Sequence, residues 1–488
     1  MSRTQQALMV AIGVATIMLA TAAATYPWLC AWLLLCGAFA AAWAVSWHTS
    51  RDPFAPLLPV TGYIFLGIGI RGIAVREGWL PDTYNLPLGS QWLTVFVWLL
   101  GALAIVSCCL GYRSQTGVRI GRRPSAGRLV RQNIPKEVLL GFSWACALIG
   151  AASLVLLRNH FAGVSGFGQT PAAVASRTSE GGLFGIDMLA YFPLVGALLT
   201  WRARGVGPSG RIALLANLAF VAAWFFIAGR KSLLFELILA IAILQHYLRK
   251  RIRGRTLVFL VIPALCIISL TFYFKDYGFK AQSIEAQYSD RPAWEAVVDP
   301  LIDRSYQFDA VTMIVDKTRS VDDYRLGSTF EDLLWFYVPR QWWPNKPVSF
   351  GYSFGPEFFP GSSLTASYAP SMVGELYLDF GLIGVAGGFY LFGIILRACY
   401  ESFAGDRSQL SVVTYAIILF RLTNMVEGPI STHFEFLLAE LAPIACLAAT
   451  NRVLTRAVGA PRAVRLPGRG VEARVRAGSA RAAHGRTR

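Results

Sequence analysis

The chain has 488 residues, 55% of them hydrophobic and only 15% charged, with a formal net charge of +17 and a mean hydropathy of +0.49. A soluble domain usually carries about a quarter charged residues, so this chain cannot clothe itself in a polar surface, and a water-soluble globular protein is excluded. Its apolar residues come in blocks of about twenty, the length that crosses roughly 30 Å of hydrocarbon at 1.5 Å per residue.

The blocks predict an all-α, polytopic integral membrane protein with about twelve transmembrane helices. In chain order they are Gln5–Thr25, Tyr26–Trp47, Phe54–Val75, Gln91–Tyr112, Glu137–Leu157 and Phe184–Trp201. Then follow Arg211–Ala228, Ser232–Leu248, Thr256–Phe274, Ser371–Leu396, Gln409–Thr423 and Phe434–Thr450. This divides the chain into nine helices within 1–274, a large loop at 275–370, three helices within 371–450 and a basic tail at 451–488.

Lysine and arginine set the expected orientation. Seven lie in Arg113–Lys136, three in Arg202–Arg211, five in Arg249–Arg255, and ten arginines in the tail from Arg452 to Arg488. These segments alternate as expected for a multi-pass protein with both termini in the cytoplasm, which sends 275–370 outside. The tail reads as a flexible segment near anionic headgroups rather than as a nucleic-acid site. Seven of the eight cysteines fall within predicted spans and Cys399 lies just past the inner end of one, so no outer-loop disulfide framework is expected. There is no CxxC, His/Cys metal spacing or P-loop, so no metal, cofactor or ATP-driven transport chemistry is indicated.

The loop from Lys275 to Pro370 is far longer than an ordinary connection, and such loops tend to be functional. Phe330, Leu333, Leu334 and Tyr337 share one helical face, which predicts a short helix at the membrane surface. Pro339, Pro344 and Pro347 then stiffen a segment that carries Arg340, Trp342, Trp343 and Lys346. Aromatic rings beside polar groups suit sugars, and cations on a rigid strand suit a phosphate.

An ionisable group at mid-membrane costs roughly 2.5–3.5 kcal/mol even on lenient scales and usually has a partner. The candidates are Arg71, Asp187, Glu236, Glu375, Asp379, Arg421, Glu435 and Glu440, with Arg71 expected to pair with Asp187 or another acid. Glu375 and Asp379 stand four apart and so face one side of a helix. Arg230 and Lys231 occupy a short turn at the bilayer surface. Cations at the outer leaflet, carboxylates on an adjacent helix and an aromatic loop above them suit a polyprenyl-diphosphate-linked sugar. Arginines would neutralise the departing diphosphate, and a carboxylate would take the proton of the attacking hydroxyl.

Four segments carry a family resemblance: Gly229-Arg230; Asp303-Arg-Ser-Tyr-Gln-Phe-Asp309; Pro339-Arg-Gln-Trp-Trp-Pro-Asn-Lys-Pro347; and Gly374-Glu-Leu-Tyr-Leu-Asp-Phe-Gly-Leu-Ile-Gly384. Between Arg211 and Glu427 the chain resembles bacterial oligosaccharide repeat-unit polymerases, the Wzy-type O-antigen and exopolysaccharide polymerases. The resemblance implies an inner-membrane, metal-independent glycosyltransferase of GT-C-like architecture without a cofactor. Such an enzyme joins undecaprenyl-diphosphate-linked repeat units at the periplasmic face and works beside a chain-length regulator and a flippase. On that reading Glu375 is the general base, and Arg230, Arg340 and Arg421 hold the diphosphate with help from Lys346. Arg304 assists in substrate binding, Asp379 or Asp309 orients the acceptor, and Trp342, Trp343 and Tyr377 stack on sugar rings. An O-antigen ligase shares the donor and stands as the alternative. A polysaccharide flippase is disfavoured by the long loop, and a polyprenyl-monophosphate sugar transferase by the lack of an acid in the first outer loop.

Overall fold

The computed structural model describes residues 26–78, 91–123, 134–161, 188–201, 207–228, 231–249, 251–252, 307–336, 338, 342–347, 349–359, 369–404 and 407–457. The expected spans at 5–25 and 256–274, the loop residues 275–306 and the basic tail beyond 457 lie outside them. Every regular element among the described residues is helical. Among the described residues six helices are long and apolar enough to cross a membrane, and Tyr191–Thr200 and Ser232–Leu248 are shorter apolar helices.

One bundle is built on α1 (Pro27–Ser50), α2 (Leu57–Arg76) and α3 (Gln91–Arg113). Helix α1 opens on Pro27, where a missing N–H costs nothing, and closes where Arg51 turns left-handed and returns its N–H to the Trp47 carbonyl. Helix α2 widens into a π turn at Phe65–Ile70, just before Arg71. The Trp98 indole of α3 donates to the Ile68 carbonyl in that turn at 3.2 Å. Such π turns commonly mark functional positions. A short helix α4 (Gln115–Gly121), capped by Ser114, continues beyond α3.

A second bundle comprises α5 (Lys136–Phe161), α6 (Tyr191–Thr200), α7 (Gly207–Ala228) and α8 (Lys231–Leu248). It is completed by α12 (Gln409–Asn424) and α13 (Ile430–Ala457), which follow later in the chain. Asp52, between α1 and α2, joins the two bundles. Its carboxylate accepts from the Tyr247 hydroxyl of α8, from the Tyr400 hydroxyl at 2.9 Å and from the Phe54 N–H at 3.0 Å. Tyr415 of α12 donates to the Phe54 carbonyl at 2.6 Å.

Three elements differ from the sequence expectation. Helix α9 (Gln307–Lys317), within the expected outer loop, is buried from Gln307 through Ile314 and packs against α2, α3 and α11. Its first turns are apolar apart from Gln307, Asp309 and Thr312, which explains why the bundle takes it in. The expected surface helix at 330–338 is reduced to a 3₁₀ turn, Ser328–Phe330, and a single helical turn, Asp332–Trp335. The stiffened segment then leads to α10 (Phe350–Phe358).

The expected tenth span is also not one straight helix. In α11 (Met372–Ala404) the backbone breaks at Gly381, φ 63° and ψ −147°, a region open essentially to glycine alone. A Cβ on Gly384 would fall 2.2 Å from the Leu376 carbonyl oxygen, and one on Gly388 would meet the Leu376 side chain. In a straight helix positions eight apart are about 12 Å apart, so residues 372–380 fold back as a short limb over the start of the long one. The long limb runs against α3, where Gly111 and Gly393 let the two backbones touch.

Candidate active site

The short limb is the centre of the site. Met372 through Asp379 are all buried, although the run includes two carboxylates. Its start is fixed by backbone pairing to the turn between α12 and α13: Ser371 N–H to the Glu427 carbonyl and Met372 N–H to the Val426 carbonyl, both 3.0 Å. The Tyr63 hydroxyl of α2 donates to Glu427 Oε2 at 2.5 Å, so the same turn is tied to the first bundle.

Glu375 is fully buried, and its two oxygens have different surroundings. Oε2 accepts the N–H of Ile430 at 2.8 Å, capping the first turn of α13. Oε1 has no hydrogen-bond partner among the described residues. The start of α13 thus satisfies one oxygen of Glu375, and the other keeps lone pairs to spare. Asp379, one turn on, is more fully engaged. Its Oδ1 accepts from the Gly327 N–H at 3.1 Å and its Oδ2 from the Thr329 hydroxyl.

The segment 318–336 crosses over this limb as a strap. Arg325 and Leu326 donate their N–H groups to the carbonyls of Leu378 and Asp379 at 3.0 and 3.1 Å. Upstream, Asp323 accepts from the backbone N–H groups of Ser320 and Arg319 at 2.8 and 2.9 Å. These bonds, Ser320's first, hold its carboxyl below the usual aspartate range. Arg325 pairs with Glu357, and its guanidinium lies over the Phe350 ring at 5.2 Å. Asp332 accepts from the Phe350 N–H at 3.1 Å and faces both Glu375 and Glu435. Glu435 in turn faces Lys346. Among the described residues no group of His, Cys, Asp or Glu has a geometry that would hold a metal ion.

The other sequence candidates are spread more widely. Lys346 reaches this region, donating to the Phe336 and Val338 carbonyls at 3.1 and 3.2 Å. Trp343 stands edge-on to Trp335 at 6.0 Å, and Trp342 is 80% exposed. Tyr377 is buried in the limb, with its ring edge-on to Phe96 at 5.7 Å and to Tyr324 at 6.1 Å. That packing makes it a wall of the site and leaves no open face for a sugar. Arg230, Arg304 and Arg340 lie outside the described residues.

Two candidates are engaged elsewhere. Asp309, expected to orient the acceptor, is the buried partner of Arg71: Nε and Nη2 reach its Oδ2 at 3.1 and 2.8 Å. The expected alternative partner, Asp187, lies outside the described residues. Arg421, expected to hold a diphosphate, is 3% exposed within the second bundle. It pairs with Glu440, lies 3.5 Å from Glu236 and donates to the Tyr191 hydroxyl at 3.1 Å. Three aromatic rings, of Tyr191, Phe420 and Phe436, surround its guanidinium.

Thr329, Asp332 and the Arg325–Gly327 backbone were not singled out from the sequence. The run Gly327-Ser-Thr-Phe-Glu-Asp332, with hydroxyls and acids around an aromatic, is the one local signal of a polar turn there. The partner, Asp379, is some fifty residues away.

Residues 351–431 match the family model described as "Putative O-antigen polymerase". The matched segment contains the short limb, Glu375, Asp379, Arg421 and the turn that fixes the limb. No curated protein and no solved structure matches the chain.

Proposed function

We propose that the protein is a polymerase of polyprenyl-diphosphate-linked oligosaccharide repeat units, acting at the periplasmic side of a bacterial inner membrane. The observation that carries this reading is Glu375. It is a buried carboxylate with one oxygen held by a helix N-terminus and the other unpartnered among the described residues, inside the segment similar to O-antigen polymerases.

Glu375 Oε1 accepts the proton of the incoming sugar's hydroxyl. That oxygen attacks the anomeric carbon of the donor glycan, and the bond from this carbon to the diphosphate oxygen breaks. The bonding pair leaves with the polyprenyl diphosphate. Burial excludes bulk water, which would otherwise compete for the donor. Asp379 and Thr329 fix the limb so that Glu375 keeps its orientation. Arg230, Arg340 and Arg304 are the cations proposed to meet the diphosphate, with Lys346 beside the acidic groups of Asp332 and Glu435. Arg421 acts within the second bundle with Glu236 and Glu440 and is left out of the clamp.

Gel analysis of surface glycan from a deletion strain tests the reading. Collapse of the ladder to core plus one repeat unit, restored by the intact chain, is the expected result. An unchanged ladder would overturn it. Loss of all glycan from the core, with polymer accumulating on the lipid carrier, would instead identify a ligase.

A further inference from the structure

A groove of about 570 Å³ lies between α3 and α9, lined by Trp92, Phe96, Leu99, Val315, Asp316 and Arg319 among others. That volume is within the range of ordinary ligand sites, about 300–1,000 Å³. On α3 the lining positions 92, 96 and 99 recur at helical spacing and form one stripe. They span roughly 10 Å along the axis, at 1.5 Å per residue. Trp92 at the first turn is 72% exposed and Leu99 is 40% exposed, so the apolar floor is open along its length.

The two ends of the groove differ chemically. At the α9 end sits an ion pair, Arg319 Nη2 to Asp316 Oδ1 at 2.6 Å, and Arg319 Nε also donates to the Asp316 carbonyl at 2.7 Å. Both bonds go to one residue, and the Arg319 side chain is 77% exposed, which leaves guanidinium edge turned to solvent. Trp92 also lines the groove, and amphipathic tryptophan rings settle at the headgroup level. On its inner side the groove reaches the candidate active site. The Phe96 ring in its wall packs on Tyr377, which lies in the short limb between Glu375 and Asp379.

We infer that this groove seats the first isoprene units of the polyprenyl diphosphate, with Arg319 at its mouth facing the diphosphate. The inference rests on the polymerase reading for the identity of the lipid. It adds where the chain enters: between α3 and α9, against the wall that carries the carboxylates. A phospholipid acyl chain would find the same floor, but it has no reason to favour a groove that ends at the limb of Glu375.

Photolabelling of the full-length chain in nanodiscs tests this. The probes are a polyprenyl diphosphate with a diazirine on its first isoprenes and, separately, a diazirine phosphatidylglycerol. The polyprenyl probe is expected to label peptides from 92–99 and 315–319. Leu99→Trp, at a half-exposed position that accommodates bulk, should cut that labelling about tenfold, a loss of roughly 1.4 kcal/mol of binding. Val315→Trp serves as a second filling variant if Leu99→Trp folds poorly by thermal unfolding. Arg319→Gln should weaken labelling by the diphosphate probe and leave that by phosphatidylglycerol unchanged. Equal labelling by both probes, labelling elsewhere, or unchanged labelling in folded filling variants would overturn the groove. Glu375→Gln separates the two ideas, because it should keep the label and lose polymer. Label in the groove from a Glu375→Gln variant that still polymerises would sink the base and leave the groove standing.

Discussion

Arg71 and Asp309 lie 238 positions apart in sequence and meet in the interior, where Arg71 Nη2 stands 2.8 Å from Asp309 Oδ2 and both side chains are essentially unexposed. The pair pins α9 to the helix that carries the π turn. Breaking a buried pair by removing one member costs about 3–5 kcal/mol. Arg71→Ala or Asp309→Ala should therefore lower thermal stability in detergent sharply. Arg71→Met combined with Asp309→Leu should recover most of the loss. A double variant no more stable than either single one would show that the pair does more than neutralise charge.

Glu375→Gln keeps an oxygen to accept the Ile430 N–H and removes the base. The variant should fold with near-normal stability while polymer formation falls about 10²–10⁴-fold, the usual worth of a general base. Quantified ladder length in complemented cells measures this, and long polymer from a stably expressed variant would argue against the assignment.

Gly381→Ala asks an L side chain to adopt φ 63° and places a Cβ 2.6 Å from the Tyr324 hydroxyl. The strain is expected to cost about 1–3 kcal/mol and to disturb the limb that holds Glu375. Polymer yield should drop more than melting temperature does. Gly387→Ala, where an added Cβ meets nothing within 4 Å, is the control that should behave as the native chain.

Arg421→Ala strands Glu236 and Glu440, both fully buried, in the second bundle. It should destabilise by about 3–5 kcal/mol, and adding Glu440→Gln should restore part of that. A clamp on the diphosphate predicts otherwise: lost polymer at unchanged stability. Unfolding curves and ladders from the same preparations distinguish the two.

Asp52→Ala orphans the Tyr247 and Tyr400 hydroxyls and the Phe54 N–H together. Each buried unsatisfied group costs about 1–3 kcal/mol. The bundles should loosen at this end first, seen as faster hydrogen exchange around 52–57 and 244–248. Unchanged exchange there would mean that the Asp52 junction does not hold the bundles together.

Composition and the twenty-residue apolar blocks pointed to a helical membrane protein, because burying backbone in hydrocarbon leaves few other solutions, and every regular element among the described residues is helical. The same reading picked out Glu375 and Asp379, since an acid within an apolar run is conspicuous wherever it ends up. The resemblance in Gly374–Gly384 was legible too, and it falls inside the segment that matches O-antigen polymerases. Tertiary structure alone decided the partners. Helical and apolar periodicity is local, so nothing near Asp309 indicates Arg71, and nothing near Arg421 indicates Glu236 and Glu440. It also decided that α9 is packed into the bundle, because its apolar face is short and bounded by polar residues and so reads as loop. The fold-back at Gly381 was hidden for a related reason. A glycine in an apolar helix is ordinary, and only the close approach of Leu376 to Gly384 and Gly388 shows that the chain has turned there.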